Sequence, residues 1–240
     1  MSRAARNHPP APDVRGQAIL RGHLETARSL AAGIISGGVI HEFANLLTIV
    51  DGQLQLESLG LVAGASAGEV GRLLAEPAGR GLQLVEAFRH VFSDLDPGPQ
   101  EAPLTHELAS LRVLLAVRLR GRPTHVEIGS GDSPLLLPGP SSPAMRLAFL
   151  LGLLSILEHG RAGDHYPERI LLDGTGTGST CRALIAEVTR FIRAPEDHQG
   201  RVMAEHLRQA AGELIASFGG RLILEDGEHG TVHLRIDSSS

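Results

Sequence analysis

The chain has 240 residues, 42% hydrophobic and 20% charged, enough for one large globular domain or two modest ones with real cores. Its formal net charge is −5 and no run of Lys or Arg announces a basic face, which argues against a nucleic-acid binder. A single cysteine, Cys181, excludes an intrachain disulfide and any Cys-rich zinc site, and the histidines form no His-Glu-x-x-His pattern.

Aromatic side chains are scarce, so the core must come from Leu, Ile, Val and Ala, which suits helices packed closely on helices. The longest apolar stretch, around Leu147–Leu157, falls short of the ~20 residues a membrane span needs. No cleavable signal opens the chain. The expectation is a cytoplasmic protein with neither a membrane nor a nucleic acid as partner.

Residues 1–16 mix Pro, Ala, Arg and Asn without apolar periodicity and read as a flexible tail. From Gln17 to Leu61 the pattern is helical, with Ile40, Phe43, Leu47, Val50 and Leu54 recurring at three- and four-residue spacing. The Gly-rich stretch Leu61–Gly71 breaks it. A second helical pattern runs from about Glu69 to Asp94, its first part weakened by Pro77 and Gly79. Two long helices with a short connection predict an antiparallel hairpin over 17–95.

Residues 96–103, Asp-Pro-Gly-Pro-Gln-Glu-Ala-Pro, form a turn-rich linker and a domain boundary. Beyond it, over 104–240, helical and strand patterns interleave. Leu104–Arg120, Ser142–His159 and Gln199–Phe218 read as helices, the last capped by Gly219-Gly220. His125–Ile128, Ile170–Leu172 and Arg182–Val188 read as strands, the last two around a turn at Gly174–Ser179. Arg221–Glu225 and Thr231–Ile236 read as a closing hairpin. The expected fold class is α+β: a helical hairpin, then an α/β sandwich of mixed sheet with helices on one face.

The residues that carry chemistry lie in Ser29–Leu56, SLAAGIISGGVIHEFANLLTIVDGQLQL. At about 100° per residue, His41 points about 140° away from the mean direction of the apolar stripe, with Asn45 and Thr48 on its side. That predicts a solvent-facing imidazole, accessible to a partner or substrate at a ring nitrogen. Glu42 is suited to hold the other ring nitrogen and keep the attacking one unprotonated.

His41-Glu-Phe-Ala-Asn45, followed by Leu-Leu-Thr48 and preceded by Ala31-Ala-Gly-Ile34, resembles the phosphoacceptor box of sensor histidine kinases. The resemblance is most specific over these thirty or so residues and continues more faintly to the end of the chain. It implies His41 as phosphoacceptor, Glu42 orienting or polarising it, and Asn45 and Thr48 beside it. It also implies a homodimer in which two hairpins form a four-helix bundle.

In the resembling kinases the second domain binds ATP through an Asn-rich box, an Asp-x-Gly-x-Gly loop and a glycine-rich lid. Aligning Ala144–Gly160 with the first box puts Ile156 at the magnesium-holding Asn, with Glu158 two residues on. Asp173-Gly-Thr-Gly-Thr-Gly178 has Thr175 and Thr177 where the loop needs glycines, and it precedes its strand instead of following it. Thr189-Arg-Phe-Ile192 holds the loop's place without its acid or glycines, and Arg193–Gly200 lacks the lid. The end of the chain, from Phe218-Gly-Gly-Arg-Leu-Ile-Leu, still resembles the end of that ATPase domain.

These readings together imply a histidine phosphotransferase with a degenerate ATPase-like half and no cofactor. It would pass phosphate between His41 and the aspartates of response-regulator receiver domains, which bring their own magnesium. The alternatives are a divergent active histidine kinase and a scaffold that never carries phosphate.

Overall fold

A computed structural model of the chain describes residues 14–59, 67–92, 102–129, 135–137, 142–160, 166–189 and 198–238. Two long helices come first, α1 over Val14–Ser58 and α2 over Ala67–Phe92. Helix α1 thus begins three residues before the expected start, while Pro77 sits buried inside a continuous α2. The expected tail up to residue 13 lies outside the described residues, as does the expected linker 96–103 up to residue 101; its last two residues, Ala102 and Pro103, instead form a short strand.

A two-residue strand β1, Ala102–Pro103, then leads into helix α3, Leu104–Arg118. Strands β2 (His125–Ile128) and β3 (Leu136–Leu137) precede helix α4, Ser142–Gly160. The hairpin of β4 (Arg169–Thr177) and β5 (Thr180–Thr189) is followed by helix α5, His198–Ser217, and by β6 (Arg221–Asp226) and β7 (Val232–Asp237). The glycine cap on α5 is as read: Gly219 N–H donates to Ala216 and Gly220 N–H to Ile215, each at 2.9 Å.

The main sheet runs β2–β4–β5–β7–β6, parallel between β2 and β4 and antiparallel elsewhere. Short β3 and β1 join the edge of β5 near Thr180. The sheet is therefore mixed, in an α+β chain. One face carries the rows Ile170–Val188–Val232 and Leu172–Ala186–Leu234, all buried, while His233 and Arg235 alternate outward. Helices α3, α4 and α5 cover the buried face.

The turn between β4 and β5 corrects the sequence reading. The strands do not stop at Leu172 and resume at Arg182; they pair through Thr177 and Thr180, so the turn is only Gly178-Ser179, with Gly178 at φ 61°. A register shift at Thr175/Gly176 makes this possible. There a Cβ on Gly176 would stand 2.0 Å from the Thr180 carbonyl oxygen, so only glycine lets the strands close so tightly.

Helix α4 is the centre of the core. Every described residue from Ala144 to Glu158 is buried, on all sides of the helix. The sheet covers one side and α5 another; α1 and α2 meet the remainder. The hairpin thus packs directly on the α/β half, α1 touching α3, α4 and α5.

This packing also corrects which face of α1 is internal. The buried line is Ala27, Ala31, Ile35, Val39, Glu42 and Leu46, whose small residues let α1 approach closely. The stripe read as its packed face divides: Phe43 and Val50 are half-buried, whereas Ile40, Leu47 and Leu54 are exposed by 68%, 65% and 47%. Among the described residues α1 is also the one helix long and apolar enough to cross a membrane, contrary to the expectation that no segment would qualify. Its buried line nevertheless packs within this chain and includes an ion-paired Glu42.

A buried charge cluster ties α2, α3 and α4 together. Arg146 Nη1 donates to both oxygens of Glu107 at 2.8 Å, and His90 Nε2 lies 2.9 Å from the same carboxylate. His106 meets the His90 ring edge-on at 4.5 Å. Burial alone pushes the Glu107 carboxyl up, but the His90 hydrogen bond and the Arg146 charge overcome it and hold it below its usual range.

A depressed carboxylate pKa stabilises the fold above the unfolded value of about 4.3, and that contribution disappears as pH falls through the folded value. Glu107→Gln is therefore expected to cost about 3 kcal/mol at neutral pH, because it leaves Arg146 buried without its counter-charge. The gap between wild type and variant in urea unfolding narrows below about pH 4.

Candidate functional site

The candidate site sits in the middle of α1, and helical geometry sorts its residues. Successive side chains diverge by about 100°, so His41 and Glu42 leave the helix in different directions. His41 is exposed, and no described residue hydrogen-bonds its ring. Asn45, one turn on, is half-buried. Thr48, a further turn along, is exposed and donates its hydroxyl to the Ala44 carbonyl at 2.8 Å. His41, Asn45 and Thr48 therefore share one face, as the helical periodicity requires. That face continues into a shallow groove lined by Thr48, Ile49, Gly52, Gln53, Leu56 and Leu59.

Glu42 occupies a different setting from the one read in the sequence. It is 7% exposed and turned toward the rest of the chain. One carboxylate oxygen accepts from Arg80 Nη2 of α2 at 3.2 Å, and the other accepts from Arg120 Nη1 just beyond α3. No described hydrogen bond joins Glu42 to His41. The two arginines keep much of their side chains exposed, Arg80 by 57% and Arg120 by 45%. Sequence reasoning missed both; the available signal was Arg118-Leu-Arg-Gly-Arg122, a cluster of cations where a helix C-terminus favours them.

The helix α1 approaches α3 just before His41. A Cβ on Gly38 would lie 3.0 Å from Val117 Cγ1, so the glycine seats the end of α3 against the turn preceding the histidine. One turn later the Glu42–Arg120 pair closes the same junction. At the far end of α1, His23 Nδ1 hydrogen-bonds the Ser217 hydroxyl of α5. The polar ties are thus distributed along the hairpin, on both α1 and α2.

The residues aligned with nucleotide-binding features stand in structural roles. Ile156 is 3% exposed, inside the core. Glu158, 2% exposed, ion-pairs with Arg118 of α3. Asp173 accepts the backbone N–H of Gly174 at 2.7 Å, within strand β4. Of Thr189–Ile192 and Arg193–Gly200, where the adenine loop and lid were sought, Thr189 ends β5 and His198–Gly200 open α5, while 190–197 lie outside the described residues.

Among the described residues no group of three His, Cys, Asp or Glu side chains is placed to hold a metal. Cys181 is buried, and burial pushes its thiol up to about 11, so it offers no thiolate.

No family model matches the chain, and no curated protein does. Among solved structures it is similar to a bacterial phosphotransferase, at 12% identity and a TM-score of 0.44 over 86% of this chain and 95% of that one. It is also similar to the Acinetobacter baumannii histidine kinase AdeS, at 15% identity and 0.39 over 83% and 97%. A third is the histidine kinase domain of the Erythrobacter litoralis EL346 blue-light activated histidine kinase, at 13% identity and 0.38 over 81% and 95%. At such identities and TM-scores these likenesses carry no activity over to this chain, whose reading rests on its own residues.

Proposed function

We propose that the chain is a histidine phosphotransferase whose His41 receives a phosphoryl group from one receiver-domain aspartate and returns it to another. The observation that carries this reading is an exposed imidazole on a long helical hairpin, within His-Glu-Phe-Ala-Asn, with no hydrogen-bond partner among the described residues. A histidine kept for packing would be buried or bonded, as His90 is.

The chemistry asked of His41 is limited. A neutral imidazole carries a free lone pair on one ring nitrogen. That nitrogen forms the N–P bond as the P–O bond of the aspartyl phosphate breaks, and the aspartate leaves as a carboxylate. Return to a second aspartate reverses the exchange. The acyl phosphate is already activated, so positioning matters more than general-base help. That agrees with a Glu42 carboxylate engaged by Arg80 and Arg120. Asn45 and Thr48 line the face along which the partner seats.

Transfer from ATP would demand more. A triphosphate needs metal and cations to neutralise developing charge. An α4 buried on all sides, with Ile156 in the core and Glu158 held by Arg118, supports a half retained as scaffold and no cofactor of its own.

Assembly follows from the exposed stripe. Ile40, Leu47 and Leu54 recur at seven-residue intervals on the side of α1 that its own chain leaves uncovered, while Leu82 on α2 is exposed by 59%. Heptad spacing is that of a helix–helix seam, and a second copy covers it as a four-helix bundle. The protein is expected to sediment as a homodimer at micromolar concentration, and Leu47→Glu to yield a folded monomer. A wild-type monomer would contradict the bundle.

His41→Gln is expected to abolish labelling by a phosphorylated receiver while shifting the melting temperature by no more than about 1 °C, since the site is exposed. His90→Gln, in contrast, lowers stability and leaves labelling in place. Phosphate retained in the His41 variant would overturn the assignment, as would a partner-dependent activity that the variant leaves intact.

A further inference from the structure

We propose that Gly37 is an access-determining residue of the His41 site: bare of a side chain, it keeps open the flank of the imidazole along which a receiver's aspartyl phosphate reaches the ring. The inference rests on the phosphotransferase reading and adds to it the direction from which the partner approaches.

The starting observation is a glycine pair, Gly37-Gly38, inside an unbroken helix. Glycine is the poorest helix former after proline, so an interior glycine needs a reason. Neither member of the pair takes a positive φ. Gly38 is explained by packing, because a Cβ there would lie 3.0 Å from Val117 Cγ1 at the end of α3. Gly37 is exposed, and a Cβ there would meet nothing within 4 Å. A Cβ on Gly22, Gly33 or Gly52 would also meet nothing, so openness alone does not single out Gly37. Its place beside His41 does.

Side chains on a helix lean toward its N-terminus, so the His41 side chain leans toward the preceding turn, which holds Gly37 and Gly38. At about 100° per residue, Gly37 and Ala44 lie about 40° and 60° to one side of His41, and Gly38 and Asn45 about 60° and 40° to the other. The second flank is taken: Val117 seats against Gly38, and Asn45 is half-buried. The first carries only a hydrogen and a methyl group, both residues being exposed. With a wall on one side and nearly bare backbone on the other, the ring is open from the Gly37–Ala44 flank. In-line transfer sets donor oxygen, phosphorus and ring nitrogen on one line, and the donor here is carried by a folded domain. Such a donor needs clearance beside the ring, and a side chain at Gly37 would take it away.

The test measures transfer from a phosphorylated receiver domain to the full-length protein, with melting and sedimentation on the same preparations. It compares wild type with Gly37→Ala and Gly37→Val, and with the matched pair Gly33→Ala and Gly33→Val. Gly33 is likewise exposed and open, but it lies eight residues before His41, about 12 Å along the axis. Alanine and valine are better helix formers than glycine, so all four variants should melt no lower than wild type, the alanine variants about 2 °C higher. Valine is stiff at χ1 and cannot swing aside. Gly37→Ala is expected to lower kcat/KM about threefold and Gly37→Val about tenfold, while both Gly33 variants stay within about twofold of wild type. Stability and transfer then move in opposite directions, which a packing role would not produce.

Wild-type transfer in folded Gly37→Val would overturn the inference, as would an equal loss in Gly33→Val. A Gly37→Val protein that sediments as a monomer would overturn it too, by giving Gly37 to the seam between copies. If the valine variant does not fold, Gly37→Ala decides alone. If wild-type His41 accepts no phosphate from any receiver, the phosphotransferase reading itself fails, an outcome distinct from a Gly37 variant that transfers normally.

Discussion

A helix that is apolar all round has to be covered on every side, and α4 imposes that demand on the whole chain. The sheet and α5 cover only part of it, and the remaining surface draws in α1 and α2. Two charges on α4 sharpen the requirement: Arg146 and Glu158 are buried, so each needs a counter-charge, and α3 supplies Glu107 and Arg118. Burying charges in this way rarely adds much stability, but it penalises any arrangement that leaves one unpaired. The hairpin is consequently fixed against the α/β half instead of standing apart from it. His41 faces solvent beside a wall formed by the end of α3.

Much of this was legible in the sequence because the signals were local. Helical periodicity located α3, α4 and α5 to within two residues, and the Gly219-Gly220 cap ended α5 as glycine caps do. His41 is exposed as expected, although the stripe through Ile40 and Leu47 from which its angle was measured is itself exposed and the packed line runs through Ile35, Val39 and Leu46. What was not legible depends on pairings distant in sequence. Strands β1 and β3 have two residues each, too short to show alternation. The choice between two apolar faces of α1 depends on what lies against them, and its apolar residues wrap far enough round to leave both plausible. Glu42 looked like a neighbour of His41 because it is adjacent in sequence. Its partners, Arg80 and Arg120, are 38 and 78 residues away.

The site that results separates two tasks. Glu42, buried, anchors guanidiniums from α2 and from the loop after α3, while His41, Asn45 and Thr48 are left on the outer face. The exposed heptad stripe lies on a different side of α1 again, so a second copy and a partner receiver need not compete for the same surface. In this account the α/β half contributes its wall and Arg120, not nucleotide chemistry. That is consistent with the core position of Ile156 and the ion pair of Glu158.

The central claim is that His41 takes phosphate from a receiver and not from ATP. The most direct measurement incubates the purified full-length protein in parallel with a panel of phosphorylated receiver domains and with ATP and magnesium, then maps acid-labile phosphate by mass spectrometry. The account predicts phosphate on His41 from at least one receiver and none from ATP. Nucleotide-dependent phosphate on His41, or phosphate from receivers on any other residue, would contradict it.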